Sequence, residues 1–504
     1  MALPTARALP LLVAAALSAA ALAGCLERGP LAPPTLEPLE VRAQGAWLRD
    51  RRGRAVLLRG VTIVGLEARI LAGAPAGPAA PFFDRLEEQG WNAIRFSISR
   101  DRLEARPGVL DGAFLAGVLG PAIRHAAHRG MAVVLALREP AWEPCSAAGD
   151  ETGGERCARS PAAIRVRRAG CSFLRGGKGS PRADLLRAWA ELGRRYGTDT
   201  RIAAFEILNE PPADLCPAEK AWQALASLHR AAARALAAVG STRPVLLGPP
   251  ASPLRRDALR ARNALPSLPK RPPGVAWLLG IHVFPHRYGP PAGVATPTLA
   301  AALIASTAQR ARALGAAPFF AEIGSDRSPD ETGRRGTSRA LLAPAFDALD
   351  ASLASGAVFS LRLGTDPGAR AALTRLGASA AVRPWARRIA GTPTAMRFDR
   401  ERRVFSLSFR DASDGASDPT EVFVPSELYP GGFRVEVLPG GRARLDPIAR
   451  RVLVYRGRAA TGHLVRIAPA PSRASTPAEA APPDAGDEPT TADVRARRGG
   501  GRRR

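Results

Sequence analysis

Short apolar runs rich in β-branched and aromatic residues recur along most of the chain, separated by segments of helical periodicity. The first run lies within AWLRDRRGRAVLLRGVTIVG, and the others span residues 92–99, 131–138, 202–209, 243–248, 277–284, 318–324 and 357–363. Segments between them, such as LLRAWAELGRRYG, space apolar residues three and four apart, and several end in glycine, a common helix C-cap. This α/β repeat predicts a (β/α)8 TIM barrel over residues 45–391 rather than an open doubly wound sheet.

The pattern changes at Thr392 to short alternating strands separated by glycine, proline and aspartate, as in FRVEVLPGG and HLVRIAP. This change predicts a small C-terminal β-sandwich over residues 392–469. Residues 470–504 contain mainly Pro, Ala, Asp, Glu and Thr and end in RARRGGGRRR. We expect this tail to be disordered, because it has too little apolar surface to bury.

The N-terminus has the pattern of an export signal. Residues 1–24 carry one arginine followed by the apolar run LPLLVAAALSAAALAG, which is too short for a membrane span. The run ends in Leu-Ala-Gly-Cys25, which resembles a bacterial lipobox and implies acylation of Cys25. Residues 25–44 are Pro-rich and predict a tether. We expect a lipoprotein anchored in the cell envelope, at its periplasmic face or outer surface. The alternative is a simple cleaved signal and a secreted protein.

Four further cysteines support export, because an even number in an exported chain favours two disulfides. They are Cys145, Cys157, Cys171 and Cys216. Three connectivities are open, and the sequence does not choose among them. A zinc site is the rival interpretation, but the spacing contains no C-x-x-C pair, and we predict no metal.

The net charge of the 504 residues is +27, and three of the 72 basic residues are lysines. The arginines are spread over every segment, and no zinc-finger, homeodomain or RNA-binding motif accompanies them. We interpret the excess of arginine as a compositional bias and expect no nucleic-acid partner. We also expect a monomer.

Two glutamates mark the candidate chemistry. Glu210 follows the fourth predicted strand in FEILNEPP, and Glu322 lies in the seventh in FFAEIG. The carboxyl ends of barrel strands line the active site, so both side chains are expected at one mouth. A carboxylate pair there suits glycoside hydrolysis, with one general acid and one ionised nucleophile. On spacing alone, each could equally pair with one of the many arginines.

The NEP motif at residues 209–211 resembles the signature of glycoside hydrolase family 5, and the resemblance runs from about Trp47 to Leu363. The string WNAIR, ending in Arg95, is similar to the family's second strand, and His282 matches its active-site histidine. The resemblance implies that Glu210 is the acid/base and Glu322 the nucleophile. It also implies that Asn209 binds the sugar 2-hydroxyl, that Arg95 and His282 are supporting groups, and that no cofactor takes part.

The C-terminal strings RPWARRIAGTPTAMRFDRERRVFSLSFR and PTEVFVPSELYPGGFRVEVLPGG resemble the β-domain of endoglycosylceramidases, which cut the bond between an oligosaccharide and ceramide. Three positions depart from the family. Arg138 replaces a histidine after the third strand, and Phe284 replaces a tyrosine, with Tyr288 as the nearest substitute. No tryptophan follows the eighth strand.

The leading hypothesis from the sequence is therefore a lipid-anchored, retaining β-glycosidase that acts on a carbohydrate or a glycolipid. The alternative is a catalytically weakened barrel that serves as a surface glycan-binding lipoprotein. The three departures motivate that alternative.

Overall fold

A computed structural model describes the protein over residues 39–65, 80–142, 161–212, 215–248, 269–270, 272–284, 296–324, 337–362, 382–411, 419–446, 450–457 and 461–470. The predicted signal, Cys25, Cys145, Cys157, Tyr288 and the C-terminal tail from residue 471 lie outside the described residues. No helix within the described ranges is both long and apolar enough to cross a membrane.

Eight parallel strands form a closed barrel within the described part of the chain. In chain order they are Arg59–Val64, Ala93–Ser99, Ala132–Arg138, Ile202–Glu206, Val245–Leu247, Trp277–Leu279 continued by His282–Val283, Ala317–Ile323, and Ser355–Arg362. Each strand pairs in parallel with the next, and the eighth pairs with the first. The predicted (β/α)8 barrel is confirmed.

Helices cover the outside of the barrel, and their bounds follow the predicted apolar periodicity. The helix predicted from LLRAWAELGRRYG is confirmed as Arg182–Tyr196. The other longer helices in the described ranges are Ala80–Glu88, Gly120–His128, Pro161–Ala169, Ala218–Ala238, Thr296–Ala313 and Thr337–Ala351. Shorter elements are the helical turns Arg100–Leu103, Gly112–Phe114, Leu115–Leu119, Pro140–Trp142 and Cys171–Arg175, and the hairpin Glu104–Arg106 with Val109–Leu110.

The second barrel strand shows how the fold makes room for a charged side chain. Every residue of Ala93–Ser99 is buried. Ile94 and Phe96 belong to the core between strands and helices, whereas Ala93 belongs to a second cluster inside the barrel. Because side chains alternate across a strand, Arg95 shares the interior face with Ala93. Small neighbours such as alanine leave space there for a guanidinium.

In the described residues, two antiparallel sheets are separate from the barrel, as a β-sandwich requires. One is ordered Thr392–Asp399, Val404–Arg410, Gly462–Pro469 and Phe433–Leu438. The other is ordered Arg42–Gln44, Trp47–Arg49, Ala55–Val56, Trp385–Ile389, Thr420–Phe423, Arg451–Tyr455 and Arg442–Asp446. Their inner faces share one apolar core, which includes Phe405 and Val422.

The second of these sheets crosses the boundaries that the sequence suggested. Arg388 pairs with Val56 in antiparallel register, so both the N-terminal hairpin and the strand Trp385–Ile389 belong to the sheet rather than to the barrel. Residues 42–44 of the predicted tether likewise form a strand that pairs with Trp47–Arg49. The apolar pattern could not assign Val56 and Arg388 to one sheet, since their pairing joins segments more than 300 residues apart in the chain.

A buried ion-pair network joins the sheets to the amino end of the barrel. Asp350 accepts hydrogen bonds from Nη2 of Arg59 (2.9 Å) and from Nη1 of Arg383 (2.6 Å). Arg59 begins the first barrel strand. In barrels of this kind the amino end serves stability, and the carboxyl end carries the active site.

Among the described residues, Cys171 and Cys216, which are 45 residues apart in sequence, form a disulfide. It joins the start of the helical turn Cys171–Arg175 to the segment that follows the fourth barrel strand. This pairing belongs to one of the three connectivities left open by the sequence, the one in which Cys145 would pair with Cys157.

Candidate active site

Strand register brings four charged side chains to the carboxyl end of the barrel. Arg95 lies in the second strand, and Glu206 is the last residue of the fourth. His282 and Glu322 are direct register partners on the sixth and seventh strands. A closed barrel faces all of these positions toward one another, which an open sheet would not do.

The turn after the fourth strand carries Asn209 and Glu210. The indole Nε1 of Trp189 donates to the carbonyl of Ile207 (3.0 Å), and the backbone N–H of Asn209 donates to the carbonyl of Leu137 (2.7 Å). Glu210 has a φ of 42°, in the left-handed region that non-glycine residues rarely adopt. Such strain persists only where surrounding contacts impose it, and it clusters at functional sites.

Arg95 connects three polar side chains. Its Nε donates to Oε2 of Glu206 (2.8 Å), and its Nη2 donates to Oε1 of the same carboxylate (2.7 Å). Nη1 donates to Oε1 of Glu322 (2.7 Å), and Nη2 also donates to Oδ1 of Asn209 (2.6 Å). The Arg95 side chain is fully buried. Charge-assisted hydrogen bonds are stronger in such a place than at the surface.

His282 faces three carboxylates. Its Nδ1 lies 2.8 Å from Oε1 of Glu210 and 3.4 Å from Oε2 of Glu322, and its Nε2 lies 3.6 Å from Oε1 of Glu206. Burial alone would lower the pKa of the imidazole. The charge of Glu322 and the contacts with Glu206 and Glu210 outweigh burial and raise this pKa to about 10. At neutral pH the ring is therefore an imidazolium.

The two buried glutamates have opposite pKa shifts. Burial raises the pKa of Glu206, but the charge of Arg95 and hydrogen bonds from His282 and Arg95 outweigh it and lower the pKa to about 2. Burial also raises the pKa of Glu322, and there repulsion from Glu210 and Glu206 adds to it. The pKa of Glu322 stays raised despite His282 and Arg95. Glu206 is thus a fixed anion, while Glu322 titrates within the cluster.

Glu210 and Glu322 approach each other at the barrel mouth. One polar atom from each of Glu210, His282 and Glu322 lies within 4.8 Å of the others. The Glu210 side chain is 25% exposed and that of Glu322 is 4% exposed. This spacing would also suit a cation. Arg95 already supplies positive charge to Glu322.

The structure therefore brings together five of the six side chains that the sequence proposed for the site. They are Arg95, Asn209, Glu210, His282 and Glu322. The sixth, Tyr288, lies outside the described residues.

Sequence reasoning missed Glu206. Its signal is a single carboxylate at the end of the otherwise apolar run IAAFE, four residues before Glu210. A lone acidic residue in a fully buried parallel strand requires a cationic partner, because an unpaired buried charge is costly. The arginine on the second strand was that partner.

The structure describes the surroundings of two residues that depart from the family, Phe284 and Arg138. Phe284 is fully buried, and its ring packs edge-on against His282 (centroids 6.4 Å apart) and against Phe359 of the eighth strand (5.3 Å). Phe284 thus fills apolar space behind the imidazolium. Arg138, at the end of the third strand, is half-buried and lies in register with Ser99.

Comparison with protein families identifies both parts of this architecture. Residues 50–352 match the cellulase family, described as glycosyl hydrolase family 5, and residues 383–468 match the glycoside hydrolase family 5 C-terminal domain. The chain belongs to glycoside hydrolase family 5. It is therefore a glycoside hydrolase, and the family resemblance seen in its sequence is confirmed. No curated protein matches the sequence.

Several solved structures share the fold of this family 5 enzyme, and endoglycoceramidases are among them. Endo-glycoceramidase II from Rhodococcus sp., in complex with a five-membered iminocyclitol, has a TM-score of 0.64 at 21% identity, covering 84% of this chain and 99% of that one. The crystal structure of endogalactoceramidase has a TM-score of 0.61 at 19% identity, covering 85% of this chain and 100% of that one. Sterylglucosidase 1 from Cryptococcus neoformans has a TM-score of 0.61 at 12% identity, covering 88% and 99%. These similarities establish a shared fold.

Proposed function

We propose that this enzyme is a retaining β-glycosidase that cleaves the bond between an oligosaccharide and ceramide. The observation that supports this mechanism most directly is the approach of Glu210 to Glu322, since one carboxylate oxygen of each lies within 4.8 Å of the other. Retaining enzymes hold their carboxyl groups about 5–5.5 Å apart, whereas inverting enzymes need about 6.5–9.5 Å to fit a water molecule. The observed spacing supports direct attack by a carboxylate on the sugar.

Glu322 is the nucleophile in this proposal. It is the more buried carboxylate, and Arg95 fixes one of its oxygens from Nη1. Its carboxylate attacks the anomeric carbon while the bond from that carbon to the leaving oxygen breaks. The products of this step are a glycosyl-Glu322 ester and the departing alcohol.

Glu210 is the acid/base. Its side chain is 25% exposed, against 4% for Glu322, so it is the carboxyl group that a leaving group and water can reach. In the first step the protonated Glu210 gives its proton to the leaving oxygen. In the second step it takes a proton from water, the water oxygen attacks the anomeric carbon, and the ester bond to Glu322 breaks.

Asn209 is placed to bind the sugar. Its Oδ1 accepts from Arg95, so the amide nitrogen is the part of the side chain that can donate. A hydroxyl beside the anomeric carbon would receive that hydrogen bond. Such contacts strengthen as charge develops in the transition state.

The substrate assignment rests on the neighbours together with the C-terminal strands. One solved structure of Endo-glycoceramidase II from Rhodococcus sp. is a complex with ganglioside GM3, and it has a TM-score of 0.64 at 20% identity to this chain. A glycolipid substrate also suits a protein that the lipobox at Cys25 would hold at a membrane of the cell envelope.

The test is turnover of three substrates by the purified enzyme: a fluorogenic β-glucoside, a fluorogenic β-lactoside and a ganglioside in detergent. We expect release of intact oligosaccharide from the ganglioside, and loss of all turnover in Glu322→Ala. Glu421→Gln is the matched control, because Glu421 is also buried and paired with arginine, but it lies in the C-terminal sheet. Tight oligosaccharide binding without turnover of any substrate would instead support a glycan-binding protein.

A further inference from the structure

Glu206 contacts Arg95 and His282, which also contact the nucleophile of the proposed mechanism, but that mechanism gives Glu206 no chemical step. Its side chain is 7% exposed. Both of its oxygens accept from Arg95, through Nε and Nη2, in the parallel geometry of a bidentate pair. A buried carboxylate that contacts the arginine of the nucleophile, and not the reacting atoms, can act only through that arginine and the neighbouring histidine.

The first consequence is geometric. A guanidinium carries five N–H donors in a fixed planar fork, so a bidentate partner on one edge fixes the whole plane. With Glu206 on the Nε and Nη2 edge, Nη1 of Arg95 points at Oε1 of Glu322 (2.7 Å). Without that partner, the guanidinium could turn its forked edge to Glu322 and move the nucleophile.

The second consequence is electrostatic. Glu322 faces Arg95 and His282, which favour its anion, and Glu206 and Glu210, which oppose it. Glu206 itself faces Arg95, His282 and the buried His229. Because the pKa of Glu206 is about 2, it stays ionised and shares the charge of Arg95 at every working pH. A carboxylate held by an unshared guanidinium would be a more stable anion and a weaker nucleophile.

We propose that Glu206 is a positioning residue for the nucleophile, fixing the orientation of Arg95 and reducing the positive charge that Arg95 presents to Glu322. This inference rests on the proposed function, since it assumes that Glu322 attacks the sugar. It assigns a role to a third glutamate of the site.

The test compares Glu206→Gln with Glu206→Asp, and uses Glu421→Gln as the control. Glutamine keeps the shape and removes the charge, whereas aspartate keeps the charge but is one methylene too short for both contacts with Arg95. Glu421 has a pKa that Arg388 and other arginines lower to about 2 against burial, so the control removes an equivalent buried charge outside the barrel. The substrate is an aryl glycoside with a good leaving group.

We expect Glu206→Gln to lower kcat/KM about 10- to 100-fold, as a displaced reacting group does, and to move the acidic limb of its pH profile to lower pH by about one unit. Azide should not restore the activity. Glu206→Asp should lower kcat/KM but keep the limb in place, and Glu421→Gln should change neither. If circular dichroism shows that Glu206→Gln does not fold, the test rests on whether the kcat/KM of Glu206→Asp is lower than that of the wild type.

An unchanged kcat/KM and limb in Glu206→Gln would overturn the inference, as would wild-type kcat/KM in Glu206→Asp. An equal loss in Glu421→Gln would also overturn it, because the effect would then be one of stability. Absence of turnover in the wild-type enzyme is a different result, and it would refute the proposed function instead.

Discussion

His282 and Glu322 are register partners on neighbouring parallel strands, and the pairing brings Nδ1 of the imidazole to 3.4 Å from Oε2 of the carboxylate. The same nitrogen is 2.8 Å from Oε1 of Glu210. One imidazolium therefore lies between the two carboxylates to which we assign the chemistry. It reduces their mutual repulsion at the short separation that a retaining mechanism needs.

The stability of the enzyme should depend on pH through His282. Its pKa is raised from 6.5 to about 10, so its stabilising contribution is complete below pH 6.5 and is lost as pH rises through about 10. We expect the free energy of unfolding of the wild type, measured by urea titration, to fall over that window. His282→Gln should lack this fall. An identical pH dependence in both proteins would show that His282 is not held as an imidazolium.

The two glutamates of the proposed mechanism should respond differently to substitution. Glu210→Ala should spare the first step with a dinitrophenyl glycoside, because a good leaving group needs no proton, but it should cripple turnover of natural glycosides. Glu322→Ala should lose both, because no covalent intermediate forms.

Added azide distinguishes the roles of Glu210 and Glu322, because each variant should form a glycosyl azide of different anomeric configuration, which NMR can identify. It should rescue Glu210→Ala with a β-glycosyl azide, in the place of base-activated water. In Glu322→Ala it should give the α-glycosyl azide from the vacated face. The opposite pattern would reverse the assignment of the two residues.

The sequence was sufficient for the barrel and for most of the site, because both depend on local signals. Buried parallel strands appear as continuous apolar runs, and the NEP motif placed Asn209 and Glu210 at the end of one of them. Arg95 and His282 followed from the family resemblance of the strings that contain them. None of these inferences required knowledge of which distant segments pair.

What the sequence could not provide depends on pairing across the chain. The addition of Ala55–Val56 to the C-terminal sheet requires its contact with Arg388, which no local pattern encodes. Glu206 was hidden for a similar reason, since its partner Arg95 lies 111 residues earlier. The choice of Cys216 as the partner of Cys171 also needed the folded chain.

The disulfide should stabilise the segment that follows the acid/base. Cys171 and Cys216 close a loop of 45 residues, for which loop-closure entropy gives about 4 kcal/mol as an upper value. Cys216→Ser should lower the free energy of unfolding by about 2–4 kcal/mol in a urea titration. Non-reducing mass spectrometry should find Cys145 linked to Cys157. A peptide linking either of these to Cys171 or Cys216 would contradict the pairing.

Membrane attachment should depend on Cys25. The acyl chains implied by the lipobox would anchor the protein, since each buried methylene contributes about 0.8 kcal/mol. Cys25→Ser should therefore move the protein from the membrane fraction to the soluble fraction after expression in a bacterial host. Cys145→Ser is the control and should leave the distribution unchanged. A Cys25→Ser protein that stays with the membrane would refute the lipoprotein assignment.

The most direct test of the proposed retaining mechanism is to trap its covalent intermediate. A 2-deoxy-2-fluoro glycoside with a dinitrophenyl leaving group slows both steps, and the second step most, so a retaining enzyme accumulates its glycosyl ester. Peptide mass spectrometry of the inactivated enzyme should find one sugar attached, on Glu322 in the segment Ala317–Ile323. Glu421→Gln should be labelled in the same way. A label on Glu210 or Glu206, or hydrolysis of a natural substrate that releases the inverted anomer without any label, would contradict the proposed mechanism.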